Sequence, residues 1–333
     1  MKKTALFVTM LAAALLGGQV FADAVPTKVK GYSQKYGDLY IGADGDQSSG
    51  GEVFVSYSAD GSDMSSVEVM GGRGGESTTG NTVIMTGGEV WTLCGGKSQK
   101  SATGNVVIVA GDSKVGMDVL GGNATGGSSR DNKVYLVGNG ATATIADAQG
   151  KKAEYTGGKL SLRHVIAGGE GDTMSGNSVD IYGTGIDVRD LRMMQVLNFH
   201  IANLDDGATP MITLPSWLFL TNFLVPTEDN PSPELALTFD ALDSMEWKPG
   251  ASVTLVNAGE GIKIDESLLG KEYNIYRNGD PDKTVLGTAT LKLEQGEGTT
   301  KILKLVTNGN VPEPTTGTLS LLALAALTAR RRK

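Results

Sequence analysis

The sequence predicts an all-β fold, a parallel β-solenoid followed by a small antiparallel β domain, and three observations carry that prediction. The 333 residues include 47 glycines and only 6% aromatics, a balance that favours tight turns and slim strands over a helical bundle. Two short landmarks recur through the first half at intervals suited to stacked supersecondary units. Within each landmark apolar residues alternate with others, the period-2 signature of a strand with one buried face.

At the start, Lys2 and Lys3 precede an apolar run over residues 5–16, and Val20-Phe21-Ala22 and Ala22-Asp23-Ala24 then offer small residues at cleavage spacing. That order of basic, apolar and small-residue regions predicts a signal peptide over residues 1–22, and hence export. A buried N-terminal helix would not require it.

The repeat comes next. The first landmark is an aliphatic strand ending in two glycines: VEVMGG (67–72), WTLCGG (91–96), MDVLGG (117–122) and HVIAGG (164–169). The second is GNTVIM (80–85), GNVVIV (104–109), DNKVYL (131–136) and GNSVDI (176–181). Successive asparagines in it lie 24, 27 and 45 residues apart, the last interval holding an insertion at about 139–158. A degenerate earlier copy is DLYIG (38–42) with GGEVFV (50–55).

Alternation assigns the faces. Val83, Val107, Val134 and Val179 form one inward column, and Met85, Val109, Leu136 and Ile181 the next. Between them Ile84, Ile108, Tyr135 and Asp180, with Thr82, Val106, Lys133 and Ser178, form a mixed set suited to the outside. In the first landmark Val69, Leu93, Val119 and Ile166 make another inward column. Asn81, Asn105, Asn132 and Asn177 share the inward parity, so stacking would align their amides into a structural ladder, each donating to the next about 4.8 Å away. Gly-Asn as a simple positive-φ turn is the other reading, and both can hold together.

Two strands per copy, glycine turns and a one-sided aliphatic face suit a parallel solenoid over residues 35–225 better than a sandwich of hairpins, although Gly-Gly pairs leave a hairpin meander open. The pattern resembles the right-handed β-helix passenger regions of autotransporters and related adhesins, a likeness of fold that brings no functional residues with it.

Beyond Gly185 the glycine spacing fades. The segments at 188–201 and 211–226 suit either a helix from Val188 or closing strands that cap the stack. PTEDNPSP (226–233) predicts a linker. Short alternating segments at 235–242, 252–258, 273–279, 288–296 and 301–307, separated mostly by turn residues, predict the C-terminal β domain over 234–310.

The tail, 311–333, reads VPEPTTGTLSLLALAALTARRRK. Its apolar stretch, 317–329, would be about 20 Å long as a hydrophobic helix, short of a hydrocarbon core of about 30 Å. Arg330, Arg331, Arg332 and Lys333 would hold it at the inner membrane by the positive-inside rule, which suits a transient stop better than a permanent anchor. Pro312-Glu313-Pro314, the apolar run and the terminal basic cluster together resemble a PEP-CTERM sorting signal. That resemblance implies recognition and cleavage by an exosortase-type processing enzyme, and a final place in the bacterial cell envelope, outer surface or extracellular matrix.

Charge and chemistry bound the function. The chain has 29 basic and 37 acidic residues; without the six basic residues of the two termini, 23 remain and the exported body carries about −14, which disfavours nucleic acid and acidic lipid. The lone Cys94 excludes an internal disulfide framework. It aligns with Met70, Leu120 and Ala167, a packing position, whereas strict alternation points it outward beside Thr92.

For glycoside cleavage two carboxylates must stand about 5–9.5 Å apart. Asp205-Asp206 before Gly207 reads as a turn, and Glu68 with Asp118 as a shared outer column. His164 falls in the column of Val67, Trp91 and Met117; His200 lies among apolar residues with no evident partner. No zinc spacing and no Gly-x-Ser-x-Gly turn occurs. GGEGDT (168–173), with Asp172, and the Asp44/Asp46 turn read as solvated loops more than as calcium sites.

No catalytic, cofactor-binding or metal residue is therefore assigned. The expected function is a non-enzymatic adhesin or scaffold meeting a glycan, matrix or host-surface ligand. The rival is a carbohydrate-active β-helix enzyme, lyase or hydrolase, with its site beside the 139–158 insertion.

Overall fold

A computed structural model describes residues 26–168, 173–204, 209–220, 235–242, 245–264, 266–278 and 284–308. The fold is all-β. Among the described residues there is no α-helix, only one 3-10 turn at Glu266–Leu268, and no helix is long and apolar enough to cross a membrane. Twenty-six of the described strands share one large sheet that does not close. The signal-peptide region, the linker 226–233 and the tail with its hydrophobic segment lie outside the described residues.

Copies of the repeat pair in parallel with one another. The second landmark runs Glu52–Tyr57, Thr82–Met85, Val106–Val109, Lys133–Val137, Ser178–Tyr182 and Val196–Ile201 in unbroken register. Val53, Val83, Val107, Val134, Val179 and Leu197 thus form one column, and Val55, Met85, Val109, Leu136, Ile181 and Phe199 the next. All are fully buried. Burying each such side chain contributes about 1.5–3 kcal/mol, so the columns are the main apolar support of the stack.

Each copy contains more than two strands. Separate parallel pairings join Ser77, Ser101, Ser128 and Thr173, and Glu89, Lys114, Ser161 and Asp187. Some of these strands are only three residues long, as at Gly88–Val90 and Ser101–Thr103, too brief for alternation to announce them.

Register also corrects the first landmark. Val69 pairs with Leu93, Leu93 with Val119, and Val119 with Val165, not Ile166. Ile166 instead joins Met70, Cys94 and Leu120 in a separate small cluster. The slip arises because Ala167 occupies the place of the first glycine in its copy: its carbonyl abuts Gly121, as that of Gly121 abuts Gly95. His164 consequently stands between Asp118 and Asp190, away from the Val67 column.

The face expected to be outside is largely covered. The insertion forms an antiparallel hairpin, Thr142 opposite Thr156 through Ala146 opposite Lys152. It folds back over the stack, so that Ala143, Ile145 and Tyr155 bury Ile84, Val106 and Ile108. Ala148 N donates to Thr82 Oγ1 at 3.1 Å and Gln149 Nε2 to Gly80 O, which fixes the tip two copies upstream.

No helix begins at Val188; Ile186–Arg192 and Val196–Ile201 are strands. The C-terminal segments enter the same sheet. Ala236–Ala241 pairs in parallel with Val196–Ile201, and Ser252–Ala258 with Ile212–Leu214. In this C-terminal region antiparallel pairing begins beyond them: Glu272–Arg277, Val285–Gln295 and Lys301–Thr307 run as a meander that returns to Ser252–Ala258. Phe239 stacks on Phe199 (6.0 Å) and meets the edge of Tyr273 (5.2 Å) beneath it. At the other end Thr27–Lys30 pairs antiparallel with Glu52–Tyr57, and its Lys28 and Lys30 discourage pairing with another chain.

Candidate functional site

Two polar arrangements stand out, one internal and one facing out. The internal one is the column of side-chain amides. Asn81 Nδ2 donates to Asn105 Oδ1 (3.0 Å), Asn105 Nδ2 to Asn132 Oδ1 (2.9 Å) and Asn132 Nδ2 to Asn177 Oδ1 (3.0 Å). The same oxygens accept the backbone N–H of the preceding asparagine at 3.1 Å. The series begins at Gly51 N, which donates to Asn81 Oδ1, and ends at Gln195 Oε1, which accepts from Asn177. All four asparagines are fully buried, and a buried amide must be paired.

The glycine landmark belongs to the same arrangement. A Cβ on Gly96 would lie 2.7 Å from Asn105 Oδ1, and one on Gly168 2.7 Å from Asn177 Nδ2; Gly72 and Gly122 press on Asn81 and Asn132. The second glycine of the first three pairs, and Gly168 after Ala167 in the fourth copy, is the space its asparagine fills. This ladder is structural, with no group left to offer a ligand.

The outward arrangement lies just past the hairpin. Along the second landmark the outward columns run Ile84, Ile108, Tyr135, Asp180, Asn198 and then Val137, Tyr182, His200, Asp240. The hairpin covers their apolar part and leaves the polar part at its border.

Here His200 does have partners. Nε2 lies 3.1 Å from Asp180 Oδ1, Nδ1 lies 3.1 Å from Asn278 Oδ1, and the ring stacks on Tyr182 at 3.8 Å and 5°. Asn198 Nδ2, 3.0 Å from His200 Nε2, donates to Asp180 Oδ1 (3.1 Å) and Asp240 Oδ2 (3.3 Å). Ser178 Oγ donates to Asp180 Oδ2 at 3.0 Å. Burial, assisted by the Asp180 charge, raises the Tyr182 phenol far above its ordinary value, so it is a neutral ring and not a base.

One amide nitrogen touches both carboxylates, so Asp180 and Asp240 stand side by side, as two-carboxylate chemistry requires. Both are already engaged, however, and neither faces the adjoining pocket.

That pocket, of about 230 Å³, has Asn139, Thr184, Asn203 and Thr209 among its polar walls, His200 on one side, and Ile201, Met211 and Val253 as apolar lining. Sequence reasoning missed Asp180, Asn198, Asp240 and Asn278. The available signal was outward parity: Asp180 and His200 occupy outward positions of aligned copies.

The remaining candidates scatter. His164 Nδ1 lies 3.1 Å from Asp190 Oδ2, and neither residue is part of the pocket lining. Asp44 is held below the usual carboxylate range mainly by the hydrogen bond from Arg73. Cys94 is buried, and burial pushes its thiol up to about 12. Asp205-Asp206, Asp172, Pro312, Glu313, Pro314, Arg330, Arg331, Arg332 and Lys333 lie outside the described residues. Among the described residues no group of three or more His, Cys, Asp or Glu is arranged to hold a metal ion. No family model, curated protein or solved structure matches this chain.

Proposed function

We propose that this protein is a non-enzymatic scaffold or adhesin of the bacterial cell surface or matrix, a right-handed β-solenoid with a terminal β domain. It is exported by its N-terminal signal and sorted by its PEP-CTERM-like tail through an exosortase-type enzyme. The observation that carries the reading is the asparagine column with its glycine partners. Buried sequence features are devoted to holding parallel copies in rigid register, and rigid extended faces are what scaffolds and adhesins present. Mass spectrometry of the mature protein from surface fractions tests it: the expected product lacks both residues 1–22 and Arg330 to Lys333. A surface form that retains the four basic residues overturns the sorting step.

The carbohydrate-active reading is favoured by one observation, the proximity of Asp180 and Asp240 beside a pocket. Product release from neutral and acidic polysaccharides, abolished by Asp180→Asn, would establish it. The expected result is no turnover.

A further inference from the structure

We infer that the pocket bounded by Asn139, Thr184, His200 and Thr209 is a binding site for a single neutral sugar unit, an inference that rests on the adhesin reading and names its ligand class. Size is the first argument. A cavity of about 230 Å³ falls below the roughly 300–1,000 Å³ of sites for drug-sized ligands, and suits one pyranose ring better than an oligosaccharide lying in a cleft.

Lining chemistry is the second. The walls offer hydroxyls from Thr184 and Thr209 and amides from Asn139 and Asn203, groups that both donate and accept. Ile201, Met211 and Val253, all buried, close the floor with apolar groups of which only a small part is exposed. That combination matches a polyhydroxylated molecule without charge. Among the described lining residues the only ionisable side chain is His200, whose nitrogens are occupied by Asp180 and Asn278. An anionic sugar would also meet the negative potential of Asp180 and Asp240 behind that ring.

Position is the third argument. The site is built at the root of the hairpin, where Asn139 and Thr184 bridge backbone to backbone (2.7 and 3.0 Å), so two parts of the stack fix its walls before any ligand arrives. Such preorganisation lowers the cost of binding.

The test is saturation-transfer NMR on the purified full chain with methyl glycosides of glucose, galactose and mannose, each up to about 50 mM, and with glucuronate as the charged comparison. The expected result is a dissociation constant of about 1 mM, roughly −4 kcal/mol, for at least one neutral glycoside and weaker binding of glucuronate. Ala202→Phe, which fills the cavity, lowers the affinity at least tenfold, and Thr209→Val lowers it without changing the volume. Absence of neutral-sugar binding, tighter glucuronate binding, or unchanged affinity in Ala202→Phe with a wild-type circular dichroism spectrum overturns the inference. Surface display is measured alongside. A displayed chain that binds no sugar sinks the pocket and spares the scaffold; a sugar-binding chain that never reaches the surface does the reverse.

Discussion

Asn105 Nδ2 donates to Asn132 Oδ1 at 2.9 Å, and that same oxygen accepts the backbone N–H of Asn105 at 3.1 Å. One carbonyl therefore satisfies the side chain and main chain of the preceding copy at once. Asn105→Ala leaves the N–H and amide of Asn81 without their shared acceptor in a dry interior. The expected loss is about 3 kcal/mol, read by urea denaturation, and a loss below about 1 kcal/mol would show that the ladder adds little.

The glycines separate into two kinds of constraint. Gly96→Ala forces a methyl within 2.6 Å of Thr78 Oγ1 and 2.7 Å of Asn105 Oδ1, so about 2–3 kcal/mol is lost through overpacking. Gly104 has φ +62° and open space around it. Gly104→Ala accordingly costs about 1 kcal/mol from the backbone alone, and Gly104→Asp costs less, since Asp131 holds the equivalent place at φ 53°. Denaturation of the three variants should rank them in that order.

The hairpin is a cover. Replacing residues 141–157 with a short flexible loop bares Ile84, Val106 and Ile108, and an apolar strip on a strand face promotes association. The expected outcome is increased dye binding to exposed apolar surface and concentration-dependent light scattering. A soluble variant with wild-type dye binding would mean that another part of the chain shields the strip.

Cys94 gives a pH signature. Its thiol is buried and pushed up to about 12, while an unfolded cysteine ionises near its ordinary value of about 8.5. Between those values the folded chain holds a proton that the unfolded chain releases, so stability falls as pH rises above about 8.5. Cys94→Ala should remove the slope between about pH 8.5 and 10, above which tyrosines such as Tyr182 and Tyr135, raised by burial, add a slope of their own. At pH 8 a thiol reagent should label the native chain only as fast as it unfolds, and rapid native labelling would contradict the burial.

How far the sequence carried the structure depended on how often a position recurs. Val83, Val107, Val134 and Val179 align as expected, because an unbroken period of two survives where strands are uniform. Alignment of the first landmark faltered at its fourth copy, since two glycines at 168–169 look equivalent to Gly121-Gly122 while the structure matches Ala167 with Gly121. Ile84 and Ile108 were read as outward, which is right for the strand. They are buried because a segment some fifty residues later returns over them, a long-range event that local alternation does not encode. The His200 cluster was hidden for the same reason: Asn278 lies 78 residues away.

The asparagine column has a direction. Each asparagine sends one amide N–H toward the later copy and its carbonyl toward the earlier one, from Gly51 to Gln195, while its second N–H turns back to a backbone carbonyl of the earlier copy. Their dipoles add head to tail and polarise one another, giving the stack an electrically negative face toward its beginning and a positive one toward its end. The fold is thus a weak electret, its two ends distinguishable by field as well as by shape.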